Sequence, residues 1–207
     1  MSRATASAFR LILISPPKTT AAELPTLVQL FEAGLQAFHL RKPGASVAEV
    51  EAYLHAVPRQ YHRRIVLHTH YALAQQYQVG GLHLPAAARA TWPRQAQLRQ
   101  PGHTLSTSFH SLAEIRQHRR RYDYVFLNPV FDSISKQGYE RAFVLAELQE
   151  ELRRLRQRSS YVPQVVALGG ITADNVAQVQ AVGFAGAAVL GSVWQAAEPV
   201  AAFRQLL

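Results

Sequence analysis

In Gln164-Val165-Val166-Ala167-Leu168-Gly169-Gly170-Ile171-Thr172-Ala173-Asp174-Asn175, a short β-prone run passes directly into a glycine pair. Gln164–Leu168 is too short for a stable helix and reads as a strand. Thr172-Ala173-Asp174-Asn175 offers an N-cap and opens a helix, and Gly183 is its expected stop. A second apolar run, Gly186–Leu190, follows and ends in Gly191-Ser192. Strand, glycine loop, helix and strand in this order make a parallel βαβ unit, because parallel strands need a crossover between them. Outward from this unit the alternation repeats. Further strands are expected at Leu11–Ser15, Gln36–Leu40, Ile65–His68, Gly81–Leu84, Thr104–Ser108 and Asp123–Leu127.

The intervening segments carry helical stripes. Leu24, Leu27, Val28 and Phe31 share one face before Gly34, and Leu145, Leu148, Leu152 and Leu155 share another with charge opposite. Pro85 to Gly102 is the weakest helix candidate, Ala- and Arg-rich and interrupted by Pro93. Eight strand–helix units in 207 residues predict one α/β domain, a (β/α)8 TIM barrel near minimal size. A doubly wound sheet is the runner-up, but no Gly-x-Gly-x-x-Gly follows the first strand.

Composition narrows the function classes. At 48% hydrophobic and 17% charged the chain is globular, and with no cysteine it holds no disulfide, thiolate metal site or cysteine nucleophile. No apolar run approaches the ~20 residues of a membrane span, and Leu11–Ile14 is too short for a signal peptide, so a cytoplasmic protein is expected. The formal charge of +9 rests mainly on arginine; only Lys18, Lys42 and Lys136 are lysines. The runs Arg116–Arg121 and Arg153–Arg158 read as solvated helix faces. No aromatics interleave with the second run, so neither a nucleic-acid nor a membrane partner is expected. The excess does suit anionic ligands.

In a TIM barrel the working residues lie where strands end. That rim would hold His39-Leu40-Arg41-Lys42, His68-Thr69-His70, His83, Ser106 to Ser111, Asn128 to Gly138, Gly169-Gly170 and Gly191-Ser192. Five of the nine histidines fall on it. The two glycine loops end adjacent strands and predict a phosphate site. Imidazole titrates near neutrality and is the usual general acid or base. His68 and His70 could also ligate a transition metal with a third ligand from His39 or His110. His83 lies inside its strand and reads as structural.

Val166-Ala-Leu-Gly-Gly-Ile-Thr-Ala-Asp-Asn, the Phe126–Lys136 stretch and His39-Leu-Arg-Lys, in this order and spacing, resemble the thiamine phosphate synthase/TenI family from about Leu11 to Leu207. The resemblance implies a TIM barrel of thiamin biosynthesis. Synthases of this family join a pyrimidine pyrophosphate to a thiazole phosphate with loss of pyrophosphate, using magnesium. The TenI branch isomerises a thiazole carboxylate phosphate by proton transfer. Arg41 matches the arginine of the family's Gln-x-Arg-x-Lys motif, His39 stands where the synthase has Gln, and Lys42 is adjacent to the motif's lysine position, Pro43. Ser108 matches the serine after the fifth strand. Ser133, Ser135 and Lys136 match the pyrophosphate loop, and Gly169, Gly170 and Gly191 match the thiazole-phosphate site.

Three departures matter. Where the synthase has Asn-Asp after the third strand, this chain has His68-Thr69; Pro85–Ala88 lacks the second magnesium carboxylate; and Pro129 stands where the TenI branch has its histidine. The chain has only three aspartates, Asp123, Asp132 and Asp174. The resulting expectation is a TenI-like proton-transfer enzyme acting on a thiazole phosphate. The alternatives are a divergent synthase and a non-catalytic thiazole-phosphate binder. The catalytic candidates are His39, His68, His70 and Lys136. The substrate-binding candidates are Arg41, Lys42, Ser108, His110, Ser133, Ser135, Gly169, Gly170, Gly191 and Ser192. No bound metal or cofactor is expected, with Mg2+ entering only if the synthase alternative holds. Asp132–Gly138 is expected to act as a lid, and a homo-oligomer is compatible with the sequence.

Overall fold

The computed structural model describes residues 9–92, 99–131, 144–158 and 161–207. Asp132, Ser133, Ser135, Lys136 and the expected lid lie outside the described residues. Eight strands alternate with helices: β1 (Arg10–Ile14), α1 (Glu23–Glu32), β2 (Ala37–Leu40), α2 (Val47–Ala56), a 3-10 turn (Arg59–Arg64), β3 (Ile65–Leu67), α3 (Leu73–Gln76), β4 (Gly81–Leu84), α4 (Ala86–Thr91), β5 (Thr104–Phe109), α5 (Leu112–Gln117), β6 (Tyr124–Leu127), α6 (Leu145–Arg156), β7 (Gln164–Leu168), α7 (Val176–Val182), β8 (Gly186–Val189), α8 (Gly191–Trp194) and α9 (Pro199–Arg204). Each strand pairs in parallel with its sequence neighbour, and β8 returns to β1 to close the barrel.

Closure follows from two-sided burial. Successive strand residues point to opposite faces, and here both faces are covered, so the strands read as almost unbroken apolar runs. Ile12, Ile14, Ala37, Tyr124, Phe126, Val166 and Ala188 pack inside the barrel. Their neighbours, such as Leu13, Phe38 and Leu67, pack outward against Leu27, Leu30, Phe31 and Leu54.

The helices are set by local chemistry. Ser46 accepts a hydrogen bond from the Glu49 amide while the Glu49 carboxylate accepts from the Ser46 amide, a capping box that starts α2. Leu148, Leu152 and Leu155 bury one face of α6, and Glu150 on its other face pairs with Arg153 and Arg154. Gly183 adopts φ 99° and ends α7 as expected. Two helical expectations are corrected. The helix after β7 begins at Val176, because the Asn175 side chain bridges the Thr172 amide and the Gly170 carbonyl and holds Thr172–Asn175 as a turn. α5 ends at Gln117, so the run Arg116–Arg121 is mostly not helical. α4 is short, as its composition suggests. Among the described residues, no helix is long and apolar enough to cross a membrane.

Candidate active site

Strand parity divides the barrel interior into two halves. Ile12 and Ile14 on β1, Phe126 on β6, Val166 on β7 and Ala188 on β8 make one side apolar. On β2 to β5 the inward positions carry His39, His68, His83, Ser106 and Ser108. His39 pairs in register with Val66, two residues before His68, and His83 pairs with Ser106. The three histidines therefore meet on one floor. His39 Nδ1 lies 2.9 Å from His68 Nε2, and His39 Nε2 lies 2.6 Å from the Tyr124 hydroxyl. His83 is held between Ser106 Oγ at 2.9 Å and Ser108 Oγ at 3.0 Å. Its ring stacks on His68 with centroids 4.2 Å apart and on Phe126 at 5.1 Å. The Tyr71 hydroxyl reaches the carbonyl oxygens of both His68 and His83, tying together the ends of β3 and β4.

Burial decides the protonation of this cluster. All three imidazoles are buried. Charging any of them would cost desolvation and place it against neighbouring rings and guanidinium groups. Burial, with His83 and Arg10 adding, holds His39 well below the ordinary histidine value. Burial, then His83, His39 and Arg41, does the same to His68. His83 is pulled down to about 3 by burial, with Arg41 and Arg89 adding. The cluster is neutral at physiological pH. Burial also raises the Tyr124 hydroxyl to about 12, which keeps it protonated.

Cations edge the floor. Arg41 is exposed at the end of β2, where its amide donates to Ser15 Oγ and its carbonyl accepts from the same hydroxyl. Arg89, on α4, donates to the Ser108 carbonyl at 2.9 Å and covers the Phe109 ring. Lys42 does not join them, which corrects the expectation from sequence. Its ammonium is buried on Glu23, 2.6 Å from Oε2, and donates to the Pro16 carbonyl. His70 takes a left-handed turn, φ 52°, and its Nε2 lies 2.7 Å from the Ala45 carbonyl, so it braces the loops after β2 and β3 instead of facing His68. His110 is exposed, with Nδ1 3.0 Å from the Asn128 carbonyl. The metal triad imagined around His68 and His70 is thus not formed; His83 takes the place given to His70.

Opposite this floor lies a cleft of about 560 Å3 lined by Gly169, Gly170, Gly191 and Ser192 with Ile171 and Gln195. Gly169 and Gly170 have φ of 100° and 63°, conformations that side-chain-bearing residues rarely adopt. A Cβ on Gly169 would press against Pro129. Among the described residues, Ser192 Oγ and Asn128 Oδ1 are buried without a hydrogen-bond partner, which buried polar atoms in folded proteins rarely are.

Tyr124 and Arg89 escaped the sequence reading, and His83 was read there as structural. For Tyr124 and His83 the signal was strand parity: each alternates with outward residues and so points inward. Arg89 required knowledge of where the short α4 folds back.

The thiamine monophosphate synthase family model matches residues 11–193. The chain belongs to the thiamine monophosphate synthase family. A thiamine-phosphate synthase of Latilactobacillus sakei is 30% identical over 195 residues, 89% of this chain and 84% of its own length. One from Klebsiella pneumoniae is 32% identical over 183 residues, covering 86% and 84%. The crystal structure of a thiamine phosphate pyrophosphorylase from Bacteroides thetaiotaomicron superposes with a TM-score of 0.78 at 30% identity, covering 96% of this chain and 95% of that one.

The family's magnesium can be tested against the donors present. Mg2+ is a hard cation that takes oxygen ligands, carboxylates above all. The ends of β3 and β4 supply His68, Thr69 and Pro85 to Ala88, with no carboxylate among them. Asp174 is exposed after β7, on the far side of the barrel. Among the described residues, the donor set beside the floor does not fit Mg2+.

Proposed function

We propose that this chain is a transferase of thiamine biosynthesis that joins a pyrimidine pyrophosphate to a thiazole phosphate and releases pyrophosphate. The observation that carries this reading is the presence of two anion-suited regions across one barrel mouth. The glycine cleft after β7 and β8 suits the phosphate of one reactant. Arg41, just after β2, and Arg89, on α4 after β4, suit the pyrophosphate of the other. In an eight-stranded barrel β4 lies opposite β8, so the two reactants would approach from opposite sides. An isomerase acting on a single thiazole carboxylate phosphate has no pyrophosphate to place in the second region. The names of the relatives at about 30% identity point the same way. Guanidinium groups placed where charge develops on a leaving group stabilise that charge and lower the barrier.

A second reading is favoured by one specific observation. Neutral His39 and His68, 2.9 Å apart, form a hydrogen-bonded pair that could move a proton on a heteroaromatic ring. Against it stands Pro129, at the position of the TenI histidine. Incubation with thiazole phosphate, with and without pyrimidine pyrophosphate and Mg2+, followed by mass analysis, separates the readings. The expected product is the condensed phosphate. For the isomerase arm, thiazole carboxylate phosphate is supplied alone, and its rearrangement without condensation would favour the second reading. Binding without turnover in either arm would leave a carrier.

A further inference from the structure

We propose that His39, His68 and His83 form a binding site for one divalent late d-block cation of the zinc or cobalt kind, on the floor of the barrel. Each histidine offers one ring nitrogen, and the three lie within 4.8 Å of one another. Imidazole nitrogens on a tetrahedral Zn2+, each at 2.0–2.1 Å, stand about 3.3 Å apart. His39 Nδ1 and His68 Nε2 are already at 2.9 Å. The third nitrogen, on His83, needs to close by at most about 1.5 Å to reach that spacing, and the ring must turn out of its stack on His68 to aim the lone pair.

The surroundings match what such ligands require. Metal-bound histidines are usually steered by a partner on the other ring nitrogen. His39 Nε2 has the Tyr124 hydroxyl, and the two nitrogens of His83 have Ser106 and Ser108, so either can turn to a metal while the other stays held. Between His39 and His68 one proton occupies the shared line. Coordination shifts it to the other nitrogen of whichever ring carries it, His39 Nε2 or His68 Nδ1, a change of tautomer with no net proton lost.

The donor set also selects the metal. Three imidazoles without a carboxylate suit Zn2+, Co2+ or Ni2+ and disfavour Mg2+ and Ca2+. Three protein ligands leave a fourth position open, as in zinc sites that bind water or substrate. No thiazole or pyrimidine ligand enters this inference, and it stands or falls independently of the proposed transferase reaction.

The test uses the untagged chain, stripped with chelator and titrated with Co2+. The expected result is one Co2+ per chain, with the intense visible ligand-field absorption of a low-coordinate site, displaced by Zn2+ and not by millimolar Mg2+. His68→Ala should weaken Co2+ binding by more than about 100-fold. Ser106→Ala, which removes only an outer partner, should cost about 10–100-fold. His55→Gln, an exposed α2 residue away from the barrel interior, should leave affinity unchanged. Circular dichroism checks that each variant folds; if His68→Ala does not, His83→Gln replaces it, and the wild-type spectrum remains decisive. Absence of stoichiometric binding, a pale six-coordinate spectrum, or affinity unmoved by His68→Ala or His83→Gln would overturn the proposal and leave the cluster a metal-free hydrogen-bonded network.

Discussion

Lys42 and Ser192 show how a single side chain can be assigned by what surrounds it. Lys42 sits beside Arg41 in a rim motif, yet its ammonium and the Glu23 carboxylate are both buried, and the Tyr53 hydroxyl donates to the same carboxylate at 2.7 Å. Burial, reinforced by Glu23, pushes the Tyr53 hydroxyl above its ordinary value, so it stays a donor. Removing one partner of a buried ion pair leaves an uncompensated charge, which costs about 3–5 kcal/mol. Lys42→Met should therefore lower the free energy of unfolding, read from urea titration, by an amount in that range. Near-unchanged stability with a raised KM for the pyrophosphate reactant would instead return Lys42 to the site. Ser192 is the converse case: its buried hydroxyl has no partner among the described residues. Ser192→Ala should keep the free protein as stable or raise it by up to about 1 kcal/mol, since a buried unpaired hydroxyl is a cost. Affinity for thiazole phosphate should fall about fivefold, the equivalent of one modest hydrogen bond. Calorimetric titration alongside urea unfolding reads both quantities.

Among the elements, the short ones depend most on their ends. α2 starts at the box formed by Ser46 and Glu49, with the Ser46 amide and hydroxyl 2.7 and 2.8 Å from Glu49 Oε2. Ser46→Ala should cost about 1 kcal/mol in urea unfolding, the usual loss of an N-cap, and leave phosphate binding unaltered. Much of this scale was legible in the sequence. The eight strands fell within a residue or so of their expected limits, because β-branched runs bounded by glycine and polar residues carry their own signal. Gly183 ended α7 because only a left-handed residue lets the chain leave a helix there. The start of α7 was not legible, since the Asn175 side chain satisfies Thr172 and Gly170 in a turn where the sequence offers an equally plausible cap. In the site, His39 and His68 were legible from rim position alone. His70 was not, because its left-handed backbone and its bond to Ala45 depend on a loop 25 residues away. Lys42 was misread because its partner, Glu23, is 19 residues distant in sequence.

At the scale of the whole molecule, the barrel has an apolar half and a half built around three neutral imidazoles, and this division couples its stability to pH. In the unfolded chain each histidine titrates near 6.5. In the folded, metal-free protein His39 and His68 lie well below that value and His83 lies at about 3. Above pH 6.5 both states are neutral at these positions and the groups make no difference. Below it, the unfolded chain takes up protons that the folded barrel refuses, so stability falls as pH falls, and for His83 it continues to fall until about pH 3. Each group contributes a slope of at most about 1.4 kcal/mol per pH unit. Urea midpoints of the chelator-treated protein should therefore drop steadily from pH 7 to 5, a range above the ordinary carboxylate values. Surface pairs such as Glu150 with Arg153 and Arg154, where hydrogen bonds hold the carboxyl down to about 2, act only at lower pH. Replacing His83 with Gln keeps an amide between Ser106 and Ser108 and removes one titrating ring. In that variant the slope between pH 6 and 5 should fall by about one proton's worth. An identical slope in both proteins would mean that His83 is protonated in the folded state, and that the floor of the barrel is open to water in a way its packing against His68 and Phe126 contradicts.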